Sequence, residues 1–269
     1  MHRLTGEDGK WADALLRLVA DIPLYGVEKS IKLGPGEILH DRFLVGLKPA
    51  EWPRLRVDEI RTALGMPAGS FAQMEADLKR ANFLGLAYEP SPRQRVFKAY
   101  VEFPVPAQRL AGPKPGSVAA HMIYHGYKWD PDHGQDAALT RYWWAPELTL
   151  AEIQGCIAGH QTDITRPAVR AAVQDIVAHC ARHCDARKFQ YIEAREGAGS
   201  RVSYDLNIYA AALPVGAVAG MLRDAGQALA VEATALEALL AEIADRPLGH
   251  VSAGTDRHGQ DFLTLYYEH

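Results

Sequence analysis

The sequence predicts an α/β fold, an antiparallel β-barrel of about ten strands ringed by α-helices. Three observations lead there. Two short strand-like runs followed by helix-like runs recur along the chain until it ends on a strand, and self-similarity at this scale sets architecture. Gly, Pro and Asp separate the two runs of each pair, which is the hairpin signature. An antiparallel sheet of about ten strands is too wide to stay open and tends to curl or close. Helices outside and strands inside would enclose a chamber, and a chamber suits a small-molecule reaction.

The first strand pair runs from Tyr25 to Leu33 and from Glu37 to Lys48, around Gly34-Pro35-Gly36. The second joins Phe83–Glu89 to Arg95–Phe103 across Pro90-Ser91-Pro92. The third takes Ala120–Trp129 and Ala138–Ala145, the fourth Phe189–Glu196 and Arg201–Ala210, the last His250–Thr255 and Phe262–Tyr267. Among the helices, Ser70 with Gln73 and Thr149 with Glu152 have the spacing of capping boxes. Pro167 and Pro214 sit where a first helical turn tolerates a missing N–H. Ala-rich amphipathic runs follow at 168–183, 214–227 and 231–244. The second unit departs from the pattern. Residues 104–116 hold four prolines, which predicts a degenerate repeat or an extended loop over one barrel mouth.

No Pro/Gly/Ser linker divides the 269 residues into independently patterned halves, so one domain, residues 1–269, is expected. A net charge of −4 argues against a nucleic-acid-binding surface. No run approaches transmembrane length, and the first residues lack a secretory apolar region, so a cytoplasmic protein without a membrane partner is expected. Three cysteines form no disulfide framework.

In a barrel wrapped by helices the outer strand face must be apolar, and the inner face is free to carry polar groups. Alternation then sorts the side chains. Lys98, Tyr100 and Glu102 share one face against Phe97, Ala99, Val101 and Phe103. Arg42 opposes Phe43, Val45 and Leu47. Ser203, Asp205, Asn207 and Tyr209 oppose Val202, Tyr204, Leu206 and Ile208. Thr264 and Tyr266 oppose Leu263, Leu265 and Tyr267, and Glu28, Ser30 and Lys32 lie together. The predicted interior thus collects Arg42, Lys98, Lys128 or Arg141, several tyrosines, and the acids Glu28, Glu102 and Asp205.

Buried charges are costly unless paired or meeting a ligand. Cations with tyrosine hydroxyls suit a diphosphate through charge-assisted hydrogen bonds. Aromatic faces above them suit a carbocation. A carboxylate nearby can take a proton from an attacking group. Together these are the parts of an alkyl transferase that uses an allylic diphosphate. The competing explanations are structural ion pairs and solvated rims. No P-loop, Rossmann glycine motif or Gly-x-Ser-x-Gly elbow is present.

The strand–strand–helix–helix repeat resembles the ABBA (αββα) prenyltransferases, whose PT barrel has ten antiparallel strands ringed by helices. Within that group the segment Glu28 to Leu44, with its Arg42-Phe43-Leu44, is most similar to the cyanobactin-type peptide prenyltransferases. The strand bearing Lys98 and Tyr100 and the Tyr266-Tyr267 ending are similar to strands of that family. The resemblance implies a prenyltransferase in natural-product biosynthesis. It would move a dimethylallyl or geranyl group from the diphosphate to a peptide side chain, as in modification of ribosomally made peptides (RiPPs). It implies Glu28 as the base or acceptor-orienting acid, and Arg42 and Lys98 as diphosphate-binding cations, with Lys128 and Arg141 as further candidates. Tyr100, Tyr209 and Tyr266 would shield the allylic cation, and Glu102, Asp205 and Trp143 would meet the acceptor. Mg²⁺ bound with the diphosphate is implied as well. The bulky patch Arg141–Trp144 departs from the family and favours a five-carbon donor. Carboxylates match the forked donors of a guanidinium, so arginine in a peptide is a specific acceptor expectation. An aromatic small molecule, or a barrel that binds without turnover, are the alternatives.

Three further signals carry less. His179, Cys180, His183 and Cys184 have i, i+4 spacing that can bind zinc, but no partner Cys/His cluster lies elsewhere and a polar helix end explains it better. Asp130–His133 predicts a solvated hairpin tip that could close over the mouth. Arg54, Arg56 and Arg61 with Asp58 and Glu59 predict a solvated helix face.

Overall fold

The computed structural model describes residues 6–91, 95–105, 120–133, 137–161, 163–197, 202–256 and 258–268. Ten strands close into one antiparallel barrel. They are β1 (Gly26–Gly34), β2 (Glu37–Leu47), β3 (Phe83–Pro90), β4 (Arg95–Glu102), β5 (His121–Trp129), β6 (Ala138–Ala145), β7 (Gln190–Glu196), β8 (Val202–Asn207), β9 (Leu248–Thr255) and β10 (Asp261–Tyr267). Each strand pairs with its sequence neighbours, and β1 closes the ring on β10 from Lys29↔Tyr267 to Leu33↔Leu263. Closure removes the exposed edges that an open sheet would present. The helices are α1 (Gly6–Leu18), α2 (Asp58–Thr62), α3 (Ala68–Leu78), α4 (Leu150–His160), α5 (Pro167–Cys180), α6 (Ala219–Ala228) and α7 (Ala233–Ile243).

The hydrophobic core lies between barrel and helices rather than inside the barrel. Outward residues of β2–β5, including Leu47, Leu84, Phe97 and Val101, pack against Leu15 of α1, Ile60 of α2 and Met74 of α3. Outward residues of β1 and β6–β10, including Ile31, Leu206, Val251 and Leu265, pack against Ile157 of α4, Ile176 of α5, Leu222 of α6 and Leu240 of α7. A barrel covered with apolar helices has its hydrophobic demand met outside, which releases the inner face for polar groups.

Local chemistry explains most helix boundaries. Thr149 and Glu152 form the expected reciprocal capping box of α4, and Pro167 occupies the first turn of α5. Ser70 does not cap. The helix α3 begins earlier, after Pro67, so Ser70 falls inside its first turn and its hydroxyl accepts from Ala137 N at 3.0 Å instead. Pro214 is extended and precedes a 3₁₀ turn, Val215–Val218, with α6 starting only at Ala219. Strand β8 ends at Asn207, so Tyr209 opens a 3₁₀ turn rather than continuing the strand. The tip beyond β5 is tied down: Trp129 Nε1 donates to Leu64 O at 2.7 Å, and Arg95 pairs with Asp132 at 3.0 Å. Arg54 and Arg56 are exposed and pair along the chain with Glu51 and Glu59, as expected of a solvated face. Of the proline-rich stretch, residues 106–119 lie outside the described residues. No described helix is long and apolar enough to cross a membrane.

Candidate active site

The barrel encloses a cavity of about 630 Å³, within the size range of small-molecule sites. Two groups of charge face each other across it.

The first group stands on β1–β5. Arg42 on β2 and Lys98 on β4 flank Glu89 on β3. One oxygen of Glu89 accepts from Arg42 Nη2 and from Lys98 Nζ, each at 2.7 Å. Lys128 lies directly opposite Lys98 in the β4–β5 ladder, and Lys32 lines the same end of the cavity. Like charges opposite each other on one face repel, and Glu89 supplies countercharge to both. Burial opposes ionisation of Glu89, but Arg42 and Lys98 overcome it and hold the carboxyl far below the usual range. Burial also lowers Lys32, with Arg42 adding to the effect. The side chain of Arg42 is 6% exposed, and its Nη1 has no hydrogen-bond partner. A buried guanidinium nitrogen without an acceptor is costly, and Arg42 is among the residues that line the cavity.

The second group stands one inward step further along β1. Ser30 pairs with Arg42 and Tyr266, and Glu28 is the next inward residue. Glu28 Oε2 accepts from Tyr209 Oη at 3.2 Å and lies 3.4 Å from His250 Nε2. His250 Nδ1 lies 2.5 Å from Asp205 Oδ1. Burial raises the Glu28 carboxyl above the ordinary value, with Asp205 adding to it and His250 opposing it. Burial works against a charged His250, but Asp205 and Glu28 outweigh it and raise the imidazole to about 9. At neutral pH His250 is therefore an imidazolium held between the Glu28 and Asp205 side chains. Glu102 lies opposite Tyr124 and lines the same end of the cavity.

Aromatic rings form a belt between the two groups. Tyr100 and Tyr142 meet edge to face at 5.7 Å, Tyr142 and Tyr124 at 6.2 Å, and His250 meets Tyr209 at 5.5 Å and Tyr266 at 5.7 Å. Burial raises the Tyr100, Tyr142 and Tyr266 hydroxyls, so they remain neutral donors near the cations. A glycine makes room for one of these rings: a Cβ on Gly126 would meet Tyr142 Cε2 at 2.8 Å.

Of the residues singled out in the sequence, Glu28, Arg42, Lys98, Lys128, Tyr100, Tyr209, Tyr266, Glu102 and Asp205 all line the cavity. Tyr209 reaches it from the turn after β8. Arg141 and Trp143 do not line it. Register pairs Thr140 with Gly126 and Tyr142 with Tyr124, so these point inward and the intervening residues point out. Arg141 is exposed, and Trp143 lies on the outer face, with the Arg195 guanidinium 5.8 Å from its ring centre. The patch therefore contributes Tyr142, not Arg141 or Trp143.

Sequence reasoning missed four residues. Glu89 stood at a strand end beside a turn, although its parity with Gly85 and Ala87 places it inward, where it meets Arg42. His250 opened a strand whose inward parity, with Ser252, was readable. Lys32, which shares its strand face with Glu28 and Ser30, and Tyr142, inside the bulky patch, carried no predicted role.

The implied Mg²⁺ is not matched by the donors present. Mg²⁺ takes oxygen ligands, usually carboxylates beside a substrate phosphate. The carboxylate within the cationic group is Glu89, and its engaged oxygen is committed to Arg42 and Lys98. Among the described residues no group of three or more His, Cys, Asp or Glu could hold a metal ion. That includes His179, whose Nδ1 accepts from Arg182.

No family model and no curated protein matches this sequence. Solved structures do match. The 5-dimethylallyltryptophan synthase from Streptomyces coelicolor superposes with a TM-score of 0.64 at 14% identity, covering 98% of this chain and 92% of that one. A 6-dimethylallyltryptophan synthase from Micromonospora olivasterospora, in complex with DMASPP and Trp, gives 0.60 at 15% identity over 90% and 81%. NotF, in complex with brevianamide F and DMSPP, gives 0.58 at 13% over 90% and 79%. This likeness shows the fold: the closed ten-stranded barrel with flanking helices is the ABBA prenyltransferase barrel.

Proposed function

We propose that this protein transfers a prenyl group from an allylic diphosphate to an aromatic small molecule carrying a basic group. The observation that carries the reading is Arg42. Its buried, unpartnered Nη1 sits in a cluster of inward cations, across a tyrosine belt from the raised carboxyl of Glu28.

In this reading the allylic C–O bond breaks heterolytically, and its electron pair leaves on the diphosphate. Arg42, Lys98, Lys128 and Lys32 stabilise the developing negative charge, which is commonly the largest catalytic contribution. The tyrosine faces, with Tyr266 and Tyr100 next to the cations, stabilise the allylic cation and exclude water. The acceptor π-system attacks the cation and forms the new C–C or N–C bond. Glu28 then takes the proton from the acceptor. A carboxyl raised by burial is a better base than an exposed one, and the neighbouring His250 opposes that rise.

Two considerations select the acceptor class. The neighbours named above are dimethylallyltryptophan synthases and a protein bound to brevianamide F, which favours aromatic small molecules. At this end of the cavity three acidic side chains, Glu28, Asp205 and Glu102, stand against two cations, His250 and Lys48, and the surplus negative charge suits an ammonium group. The same carboxylates favour a second reading, the guanidinium of arginine in a peptide, with modification of a ribosomally made peptide as its setting.

The test is mass spectrometry of the purified protein with dimethylallyl or geranyl diphosphate and a panel of tryptophan, tyrosine, cyclic dipeptides and arginine-containing peptides. A prenyl increment on an aromatic small molecule supports the main reading, and one on arginine supports the second. Pyrophosphate binding without any increment across the panel would turn the protein into a ligand-binding barrel.

A further inference from the structure

We infer that Glu89 is a built-in competitor of the diphosphate: it occupies Arg42 and Lys98 in the empty barrel, gives them up when donor binds, and retakes them when pyrophosphate leaves. This rests on the proposed donor site and adds to it a residue that governs product release.

The argument is geometric. A single Glu89 oxygen accepts from Arg42 Nη2 and Lys98 Nζ, both at 2.7 Å. Arg42, Lys98 and Glu89 all line the cavity, so a diphosphate bound to these two cations must share them with Glu89 or displace it. The pairing does not complete a packed core, because Glu89 lines open space. Nor does it exhaust the cations. Arg42 Nη1 remains unpartnered, and Lys32 and Lys128 border the same cavity.

Without Glu89 the empty site would confront Lys98 with Lys128 across one ladder step, a destabilising arrangement. With Glu89 the empty state is stable. The cost falls on the bound state, where a carboxylate and a diphosphate contend for the same N–H groups. Pyrophosphate carries more charge than the ester it came from, so it binds the cations more strongly and most needs an internal anion to release it.

The test is Glu89→Gln, which keeps the size of the side chain and removes its charge. Calorimetric titration with inorganic pyrophosphate alone should show binding at least about tenfold tighter than in the parent, since like-charge juxtaposition is a repulsion of this order or greater. Steady-state turnover should fall, with stronger product inhibition by pyrophosphate, while a single turnover stays fast. Pyrophosphate should raise the melting temperature of the variant more than that of the parent. Glu89→Asp, which withdraws the charge by one methylene, should bind with intermediate affinity and provides the same readout if the glutamine variant does not fold. Unchanged or weaker pyrophosphate binding in the folded variants would overturn the inference, because Glu89 would then be organising the cations for the ligand. A parent protein that binds no pyrophosphate would instead remove the proposed donor site itself.

Discussion

Replacing Arg42 with methionine separates what this residue does for the fold from what it does for the donor. The side chain is 6% exposed, and Nη2 pairs with Glu89 at 2.7 Å. Removing one member of a buried ion pair costs about 3–5 kcal/mol, because the other charge is left uncompensated. Lys98 still holds Glu89 at 2.7 Å, so the lower figure, about 3 kcal/mol, applies. For a chain of this size that lowers the melting temperature by about 6–12 °C. The binding loss has a different origin. A hydrogen bond to a charged group contributes about 1.5–3 kcal/mol. Nη1 has no partner to give up, so its bond to a diphosphate is gained in full, whereas Nη2 must first leave Glu89 and gains less. Together they amount to about 3–4 kcal/mol, or a roughly 100- to 1000-fold loss of pyrophosphate affinity. Urea unfolding measures the first quantity and calorimetric titration with pyrophosphate the second. Arg42→Lys should recover much of the stability and little of the affinity, since it keeps the charge and loses the fork. A folded Arg42→Met protein that binds pyrophosphate within about threefold of the parent would refute the reasoning.

Other consequences follow from the same geometry. Glu28→Gln should reduce turnover by about 100-fold or more while leaving pyrophosphate affinity nearly unchanged, because the carboxylate lies in the other charge group. His250→Asn removes the cation that opposes burial at Glu28, so the acid limb of the pH–rate profile should move to higher pH; an unmoved limb would mean that Glu28 does not set it. His250 is raised in the folded state to about 9, so its contribution to stability is complete below its unfolded value of about 6.5 and is lost as pH rises through about 9. Denaturation across that window should show the loss, and His250→Asn should flatten it. Gly126→Ala should push the Tyr142 ring out of the belt, since the new Cβ would lie 2.8 Å from Cε2; the expected result is more hydrolysis of the donor relative to transfer, measured by product ratio. Chelation by EDTA should leave pyrophosphate binding intact, because the donors around Glu89 are nitrogen cations.

What the sequence determined by itself is the order of hairpins and helices and, on most strands, the face that turns inward. Runs such as Val96–Phe103 alternate apolar with polar without ambiguity, and burying the apolar set under helices leaves one solution. The same reasoning located Glu28, Arg42 and Lys98, because a charge between buried neighbours on an amphipathic strand has only the interior to face. Alternation failed where both faces carry large amphipathic side chains. In Arg141–Trp144 either parity looks plausible, and only the pairing of Thr140 with Gly126 and Tyr142 with Tyr124 turns Arg141 and Trp143 outward. Tertiary structure alone decided which charges meet. Glu89 finds Arg42 and Lys98 because β3 runs between β2 and β4, with Lys98 set diagonally to it opposite Ala87, and His250 finds Asp205, 45 residues away, through a brief contact between β8 and β9. A pattern of period two records which side a residue faces. It does not record the height at which neighbouring strands are registered, and that height is what turned scattered inward charges into two opposed groups separated by a belt of rings.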